Sequence, residues 1–130
     1  MFYNCSNLVT AVIGSSANMN GNDFNNCSKL EAVDTKTGRV HTSSFYNCAK
    51  LTTLIIRRGT VPTLTNINAF NNTPFASGKA GGILYVPESL ISSYQSATNW
   101  STILGYPNNQ IKKIEGTIYA TQYADGTPIN

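Results

Sequence analysis

The stretch Phe24-Asn25-Asn26-Cys27-Ser28-Lys29-Leu30 decides the fold of this chain, because its pattern, Phe-x-Asn-Cys-x-x-Leu, returns at a regular interval. The pattern is complete at residues 2–8, 24–30 and 45–51, and altered at residues 70–76. The leading Phe residues of these copies are 22, 21 and 25 residues apart. Such a period is typical of solenoids, in which each coil buries its apolar side chains only against its neighbours. We therefore predict a repeat solenoid, and recognition rather than catalysis as its role.

Each motif copy is predicted to supply interior side chains, a turn and a short strand. The Phe and the Leu fill the interior, while the Asn amide satisfies backbone groups where the chain turns. The motif asparagines are expected to stack into a ladder formed by Asn4, Asn26, Asn47 and Asn72. Parallel strands are predicted at residues 8–13, 30–35 and 51–56, with the first, fourth and sixth residues of each strand pointing inward.

Strand alternation places the intervening side chains on the outer face of the predicted sheet. This ligand-facing strand surface consists of Thr10, Val12, Ala32, Asp34, Thr53, Ile55 and Arg57. In repeat proteins a continuous face of this kind commonly carries the ligand. The alternative is that it is only the solvated side of the sheet. Val12 and Ile55 favour a contact surface, because exposed apolar residues on a regular face can mark one.

The composition and the cysteines argue against catalysis and metal binding. The three cysteines, Cys5, Cys27 and Cys48, occupy the same motif position, which predicts a buried, reduced ladder rather than a disulfide framework. The single histidine, His41, lies between motif copies, and no Cys-x-x-Cys pair, phosphate loop or nucleophile elbow is present. We expect no catalytic residues, no metal site, no cofactor and no enzymatic activity.

A different pattern begins at Gly82 and predicts a C-terminal cap over residues 82–116. Residues 83–86 read as the last strand of the stacked sheet, and an amphipathic helix is predicted over residues 88–99, followed by Trp100 covering apolar surface. Ile111 and Ile114 indicate one more strand, and residues 117–130 read as a tail or linker. An aromatic carbohydrate site is the alternative role for this region. Its residues would be Tyr85, Tyr94 and Trp100.

Only 12% of the 130 residues are charged, and the net charge of +3 is scattered along the chain. A nucleic-acid groove would need a clustered basic stripe, so no nucleic-acid partner is expected. No apolar run is long enough for a membrane span, and no signal-peptide pattern is present. Met1 directly precedes the first motif copy in the sequence, whereas a solenoid normally begins with a polar cap. We therefore expect the chain to be the C-terminal part of a longer protein.

The Phe-x-Asn-Cys-x-x-Leu copies resemble the BspA-type leucine-rich repeat over residues 1–81, with about three full copies and one degraded copy in which Thr73 replaces Cys and Ala76 replaces Leu. The terminal segment, from a Tyr-Val-Pro strand through an amphipathic helix to a Trp, is also similar to that family. The resemblance implies a right-handed leucine-rich-repeat coil with parallel strands on one face.

The resemblance also implies a non-catalytic bacterial cell-surface adhesin that binds a protein ligand on a host or neighbouring cell and lies outside the cell. The alternative is a structural or receptor-binding module of a phage or prophage tail, located in the virion. Self-association through the open N-terminal edge of the sheet is a third expectation.

Overall fold

The main feature of the computed structural model is a five-stranded parallel sheet, and the structure describes residues 2–14, 18–19, 21–107 and 109–115. Strands are numbered along the chain, and those of this sheet lie side by side in the order β1, β2, β4, β6, β7, while β3 and β5 form a second sheet. Their bounds are β1 Thr10–Ile13, β2 Ala32–Thr35, β4 Thr53–Ile56, β6 Ile83–Val86 and β7 Gln110–Lys113. Parallel strands at the predicted places are confirmed, although the first three begin two residues later than predicted.

The register of the sheet aligns equivalent motif positions. Ala11 pairs with Val33, Val33 with Leu54, and Leu54 with Leu84. These side chains belong to one buried core, together with the motif Leu30 and Leu51 and the next inward row, Ile56 and Val86. The inward half of the predicted alternation is therefore confirmed.

The leading Phe residues of the four motif copies form a continuous stack of rings. Phe2 lies 5.2 Å from Phe24, Phe24 lies 5.4 Å from Phe45, and Phe45 lies 5.4 Å from Phe70, measured between ring centroids. The planes within the stack are inclined by 18°, 6° and 16°. Such close, offset stacking adds to the stabilisation that burial of the rings provides.

The motif asparagines turn the chain and bond to one another. Asn4, Asn26, Asn47 and Asn72 all have φ between 59° and 63°, a left-handed conformation that Asn tolerates better than most residues. The amide Nδ2 of Asn47 donates to Oδ1 of Asn26 at 2.7 Å, and that of Asn72 donates to Oδ1 of Asn47 at 2.6 Å. The predicted ladder is confirmed for these three side chains.

A second, two-stranded parallel sheet pairs β3, Arg39–Val40, with β5, Thr63–Leu64. It lies in the segments that connect one motif copy to the next, where no strand was predicted. The N–H of Met19 extends the same ladder by donating to the carbonyl oxygen of Arg39 at 3.0 Å. Val40 and Leu64 point into the core, so this small sheet closes the interior on the side away from the strand surface.

The cap differs from its prediction. The single helix expected over residues 88–99 is a 3-10 turn at Glu88–Leu90, helix α1 at Ile91–Ser96, and a separate helix α2 at Trp100–Leu104. Ala97 is extended and Asn99 has φ of 68°, so the chain breaks between the two helices. The break allows the side chain of Asn99 to bond to Leu64 in β5, and that of Trp100 to bond to Pro62, directly before β5.

The apolar helix face forms as predicted, since Leu90, Ile91, Tyr94 and Ala97 pack on the core. The outermost strand on the cap side is β7 rather than β6, and β7 pairs with β6 in parallel. The predicted tail at 117–130 lies outside the described residues. Within the described ranges, no helix has the length and apolar character needed to cross a membrane.

Candidate binding surface

The seven residues predicted to form the strand surface lie together on the outer face of the main sheet. Thr10, Ala32 and Thr53 are register partners in one row, and Val12, Asp34 and Ile55 are register partners in the next. Arg57 directly follows β4 and continues the alternation. None of the seven belongs to the core cluster, as expected for residues on the outer face of the sheet.

A charged pair joins two strands of this face. The guanidinium of Arg57 donates through Nε to Oδ1 of Asp34 at 2.8 Å and through Nη2 to Oδ2 at 2.8 Å. Two parallel hydrogen bonds of this kind fix both side chains in one geometry. The Asp34 side chain is only 6% exposed, whereas 22% of the Arg57 side chain remains accessible. The face therefore presents a guanidinium whose position is set by a buried carboxylate.

The expectation that the whole surface is open to solvent is wrong for four of its residues. Ala32 is 1% exposed, Asp34 and Thr53 are 4% exposed, and Ile55 is fully buried. The physical reason is that neighbouring strands stand about 4.8 Å apart, so long side chains overlie short ones. Ile55 lies between Asp34 and Tyr85 in its row, with Arg57 next on its own strand. Val12, at 45% exposure, is the apolar residue of the predicted set that solvent reaches.

The sequence analysis missed two residues that extend the same row. Tyr85 is the register partner of Ile55, and Lys112 is the register partner of Tyr85. Applying the same alternation to the strand predicted at residues 83–86 and to the strand indicated by Ile111 and Ile114 would have found both. A shallow cavity of ≈ 410 Å³ lies at this end of the sheet. It is lined by Tyr85, Ile91, Ile111, Lys112, Lys113 and Glu115.

The accessible charge on this face is positive. Lys36 follows β2 in the same way that Arg57 follows β4, and Lys36 and Lys112 are both exposed. The carboxylate of the face, Asp34, is already bonded to Arg57. Such a surface can attract and hold an acidic partner through Lys36, Arg57 and Lys112, with Val12 adding an apolar contact.

Two of the three cysteines, Cys27 and Cys48, lie in the interior and are poor nucleophiles. All three are free thiols, and Cys27 and Cys48 are fully buried. Burial raises the pKa of Cys27, and it raises the pKa of Cys48 to about 12. Their Sγ atoms donate to the carbonyl oxygens of Phe2 at 2.8 Å and of Phe24 at 3.0 Å, respectively. A protonated thiol that is bonded to the backbone does not attack a substrate.

The alternative aromatic site is not accessible as a platform for a sugar ring. Tyr94 and Trp100 are buried in the core, edge to face, with ring centroids 5.3 Å apart. Tyr85 is 5% exposed. The three aromatic side chains therefore pack within the fold, which is the commoner use of aromatic residues.

Acidic and metal-binding side chains are dispersed in the described part of the chain. Within it, no group of three or more His, Cys, Asp or Glu residues is close enough to hold a metal ion. The Nδ1 atom of His41 is buried and has no hydrogen-bond partner among the described residues. Gly21 lies against this atom, since a Cβ added at Gly21 would be 3.3 Å from it.

Comparison of the chain with protein-family models, curated proteins and solved structures gave no significant match.

Proposed function

We propose that this chain is a leucine-rich-repeat-like right-handed solenoid that acts as a non-catalytic protein-interaction module, and that it forms the C-terminal part of a bacterial cell-surface protein. Three observations support the repeat architecture. Successive motif copies lie side by side, their Phe rings stack, and their strands pair in parallel in chain order. The same motif positions therefore occupy the same places in successive copies.

The observation that carries the interaction role is the Arg57–Asp34 pair on the outer face of the sheet. It holds a partly accessible guanidinium in place before any ligand arrives. The ring stack and the asparagine ladder hold the strands beneath it. Binding to such a surface loses little conformational entropy, which favours affinity for a given contact area.

The proposed ligand is a protein with an acidic surface on a host or neighbouring cell. It would contact Lys36, Arg57 and Lys112, which lie on three different strands or directly after them. Val12, which is 45% exposed, would form the apolar part of the contact. The proposed location is outside the cell, as part of a longer surface protein.

A charge-reversal experiment tests the proposal. The wild-type chain is passed over a panel of purified, immobilised extracellular and cell-surface proteins, and dissociation constants are measured for those that bind. The face variant is Lys36→Glu with Lys112→Glu. The control variant is Lys29→Glu with Lys50→Glu, which makes the same charge change at exposed motif positions away from the face.

We expect the face variant to weaken binding at least tenfold and the control to change it less than twofold. We also expect the wild-type affinity to fall as salt is raised. No binding to any member of the panel, or an equal loss in both variants, would overturn the proposal.

A further inference from the structure

The asparagine ladder repeats one pair of hydrogen bonds between successive motif copies. Asn26 receives a bond at Oδ1 from Nδ2 of Asn47, and its N–H donates to the carbonyl oxygen of Tyr46. Asn47 receives a bond at Oδ1 from Nδ2 of Asn72, and its N–H donates to the carbonyl oxygen of Asn71. Tyr46 and Asn71 each directly precede the next asparagine of the ladder. Each asparagine therefore binds the following asparagine together with the carbonyl group before it.

The last asparagine of the ladder, Asn72, presents the same two groups without a partner. Its Nδ2 bonds to Asn47 and its φ is 59°, close to the 63° of Asn47, so its N–H and Oδ1 have the same orientation as those of Asn47. No described residue accepts a hydrogen bond from its N–H or donates one to its Oδ1. No further motif copy begins after Phe70, although the chain continues into the cap. The ladder thus ends inside the chain, at an exposed residue that offers one donor and one acceptor.

The cap closes the apolar interior of the stack but leaves this end of the ladder uncovered. Phe75 and Trp100 lie against Phe70, with ring centroids 5.3 Å and 6.1 Å away. The hydroxyl of Thr73 donates to the carbonyl oxygen of Phe70 at 2.7 Å and accepts from the N–H of Phe75 at 3.1 Å. These bonds fix the turn that directs the chain inward directly after Asn72. The two groups of Asn72 are therefore held in place by a rigid turn.

A cavity of ≈ 480 Å³ lies at this end of the ladder. Its lining includes Asn47, Asn72, Thr73, Pro74 and Lys79. The volume falls within the range of about 300–1,000 Å³ that is typical of small-ligand sites. Lys79 is the charged residue of the lining and favours a ligand that carries an anionic group.

We propose that this cavity binds an acylated asparagine, that is, an asparagine side chain together with the carbonyl group that precedes it. Within the ladder, the same two groups bond to Asn47 at 3.0 Å and 2.6 Å, through the carbonyl oxygen of Asn71 and Nδ2 of Asn72. A ligand that carries both groups can make the same two bonds to Asn72. An α-carboxylate on that ligand would lie near Lys79.

This site goes beyond the proposed interaction role, because none of its lining residues belongs to the outer face of the main sheet. The acylated asparagine can come from a free amino-acid derivative or from a peptide that ends in asparagine. Both present the carbonyl group, the side-chain amide and the α-carboxylate in the same arrangement.

Titration of the wild-type chain with N-acetyl-L-asparagine, followed through its backbone amide signals by NMR, tests the proposal. We expect saturable shifts at Asn72 and Lys79. N-acetyl-L-aspartate differs only in having an oxygen in place of the amide nitrogen, so it cannot donate to Oδ1 of Asn72. It is expected to bind at least tenfold more weakly, because a site that hydrogen-bonds one group rejects an analogue lacking it. This comparison changes the ligand alone and does not depend on the folding of a variant.

The peptide acetyl-Gly-Gly-Asn separates the two sources of the ligand. Binding tighter than that of N-acetyl-L-asparagine assigns the site to a peptide terminus, and equal or weaker binding assigns it to the free derivative.

Three variants of the chain complete the test. Lys79→Ala should weaken binding of N-acetyl-L-asparagine at least threefold, whereas Lys50→Ala, at an exposed lysine outside the cavity, should change it less than twofold. Asn72→Gly keeps the N–H and tolerates the left-handed backbone but lacks Oδ1, so it should lose the preference for the asparagine derivative.

The proposal is overturned if Asn72 shows no saturable shift or if the two acetylated amino acids bind equally to the wild-type chain. Shifts confined to the outer face of the main sheet, or an unchanged preference in Asn72→Gly, would also overturn it.

Discussion

The indole Nε1 of Trp100 donates a hydrogen bond of 2.8 Å to the carbonyl oxygen of Pro62, which lies 38 residues earlier in the chain. Beside it, Nδ2 of Asn99 donates to the carbonyl oxygen of Leu64 at 2.7 Å. The carbonyl group of Leu64 belongs to β5, the last strand of the small sheet, and Pro62 directly precedes this strand. The N–H groups of Thr63 and Thr65 donate in the other direction, to the carbonyl oxygens of Gly38 and Val40. Two side chains thus take the place of a further strand and end this ladder.

Trp100→Phe should lower the free energy of unfolding by about 1–3 kcal/mol from the unsatisfied carbonyl alone, with a further loss from the smaller ring. Because Trp100 is the single tryptophan, urea unfolding is followed by circular dichroism rather than by fluorescence. Thr98→Ala, at an exposed neighbour, is the control and should change stability by less than about 0.5 kcal/mol. Equal effects of the two substitutions would show that the bond does not stabilise the cap.

Asn47 contributes both a left-handed backbone and two ladder hydrogen bonds, and two substitutions separate these contributions. Asn47→Gly keeps the backbone conformation and removes the amide, whereas Asn47→Ala also forces a residue with a Cβ to keep φ near 63°. We expect Asn47→Ala to destabilise the chain by about 1 kcal/mol more than Asn47→Gly does. Chemical denaturation measures both, and a larger loss for Asn47→Gly would contradict the expectation.

The Asp34–Arg57 pair should respond unequally to the loss of either partner. Arg57→Ala leaves a carboxylate that is almost wholly buried, and we expect a loss of about 3 kcal/mol. Asp34→Ala leaves a guanidinium that still reaches water, so its cost should be smaller. The double variant should be more stable than the sum of the two losses implies, because neither charge is then left unpaired. Additive losses in this double-mutant cycle would show that the pair is not coupled.

Stability should fall in alkaline solution because burial raises the pKa of Cys48 from 9.0 to about 12. The folded chain keeps this proton above pH 9, where the unfolded chain releases it. The contribution of Cys48 to the free energy of unfolding is therefore fully present below pH 9. It is lost as the pH rises toward 12, by about 1.4 kcal/mol for each pH unit. Burial raises the pKa of Cys27 as well and acts in the same direction.

Unfolding free energies measured in urea between pH 8 and pH 10 test this dependence. Cys48→Ala should start from a lower stability and lose less of it over the same interval. If both chains decline in parallel, Cys48 is not the titrating group.

Much of the fold could be predicted from the sequence because each motif copy repeats the same local conformational preferences. Asn at a left-handed turn, Phe and Leu in the interior, and alternating apolar residues in the strand each act within a few residues. These features located β1, β2 and β4, the asparagine ladder and the inward rows, whereas the separate apolar segment at residues 83–86 located β6. The two-residue strands β3 and β5 could not be found, because a periodicity of two has no signal in so short a segment.

The position of the candidate surface also followed from the sequence, but its exposure did not. Alternation alone placed Asp34, Ile55 and Arg57 on one face. Whether solvent reaches them depends on side chains of neighbouring strands, such as Tyr85, which is 30 residues from Ile55 in the chain. The break between α1 and α2 likewise depended on hydrogen bonds from Asn99 to Leu64 and from Trp100 to Pro62.

The amino-acid sequence by itself determined which segments repeat, which side chains point inward and where the chain turns, since these depend on local conformation and residue type. Only the tertiary structure decided how the stack closes at Trp100 and which residues of the outer face remain accessible. These properties depend on contacts between residues that are far apart in the chain, and no local pattern encodes them.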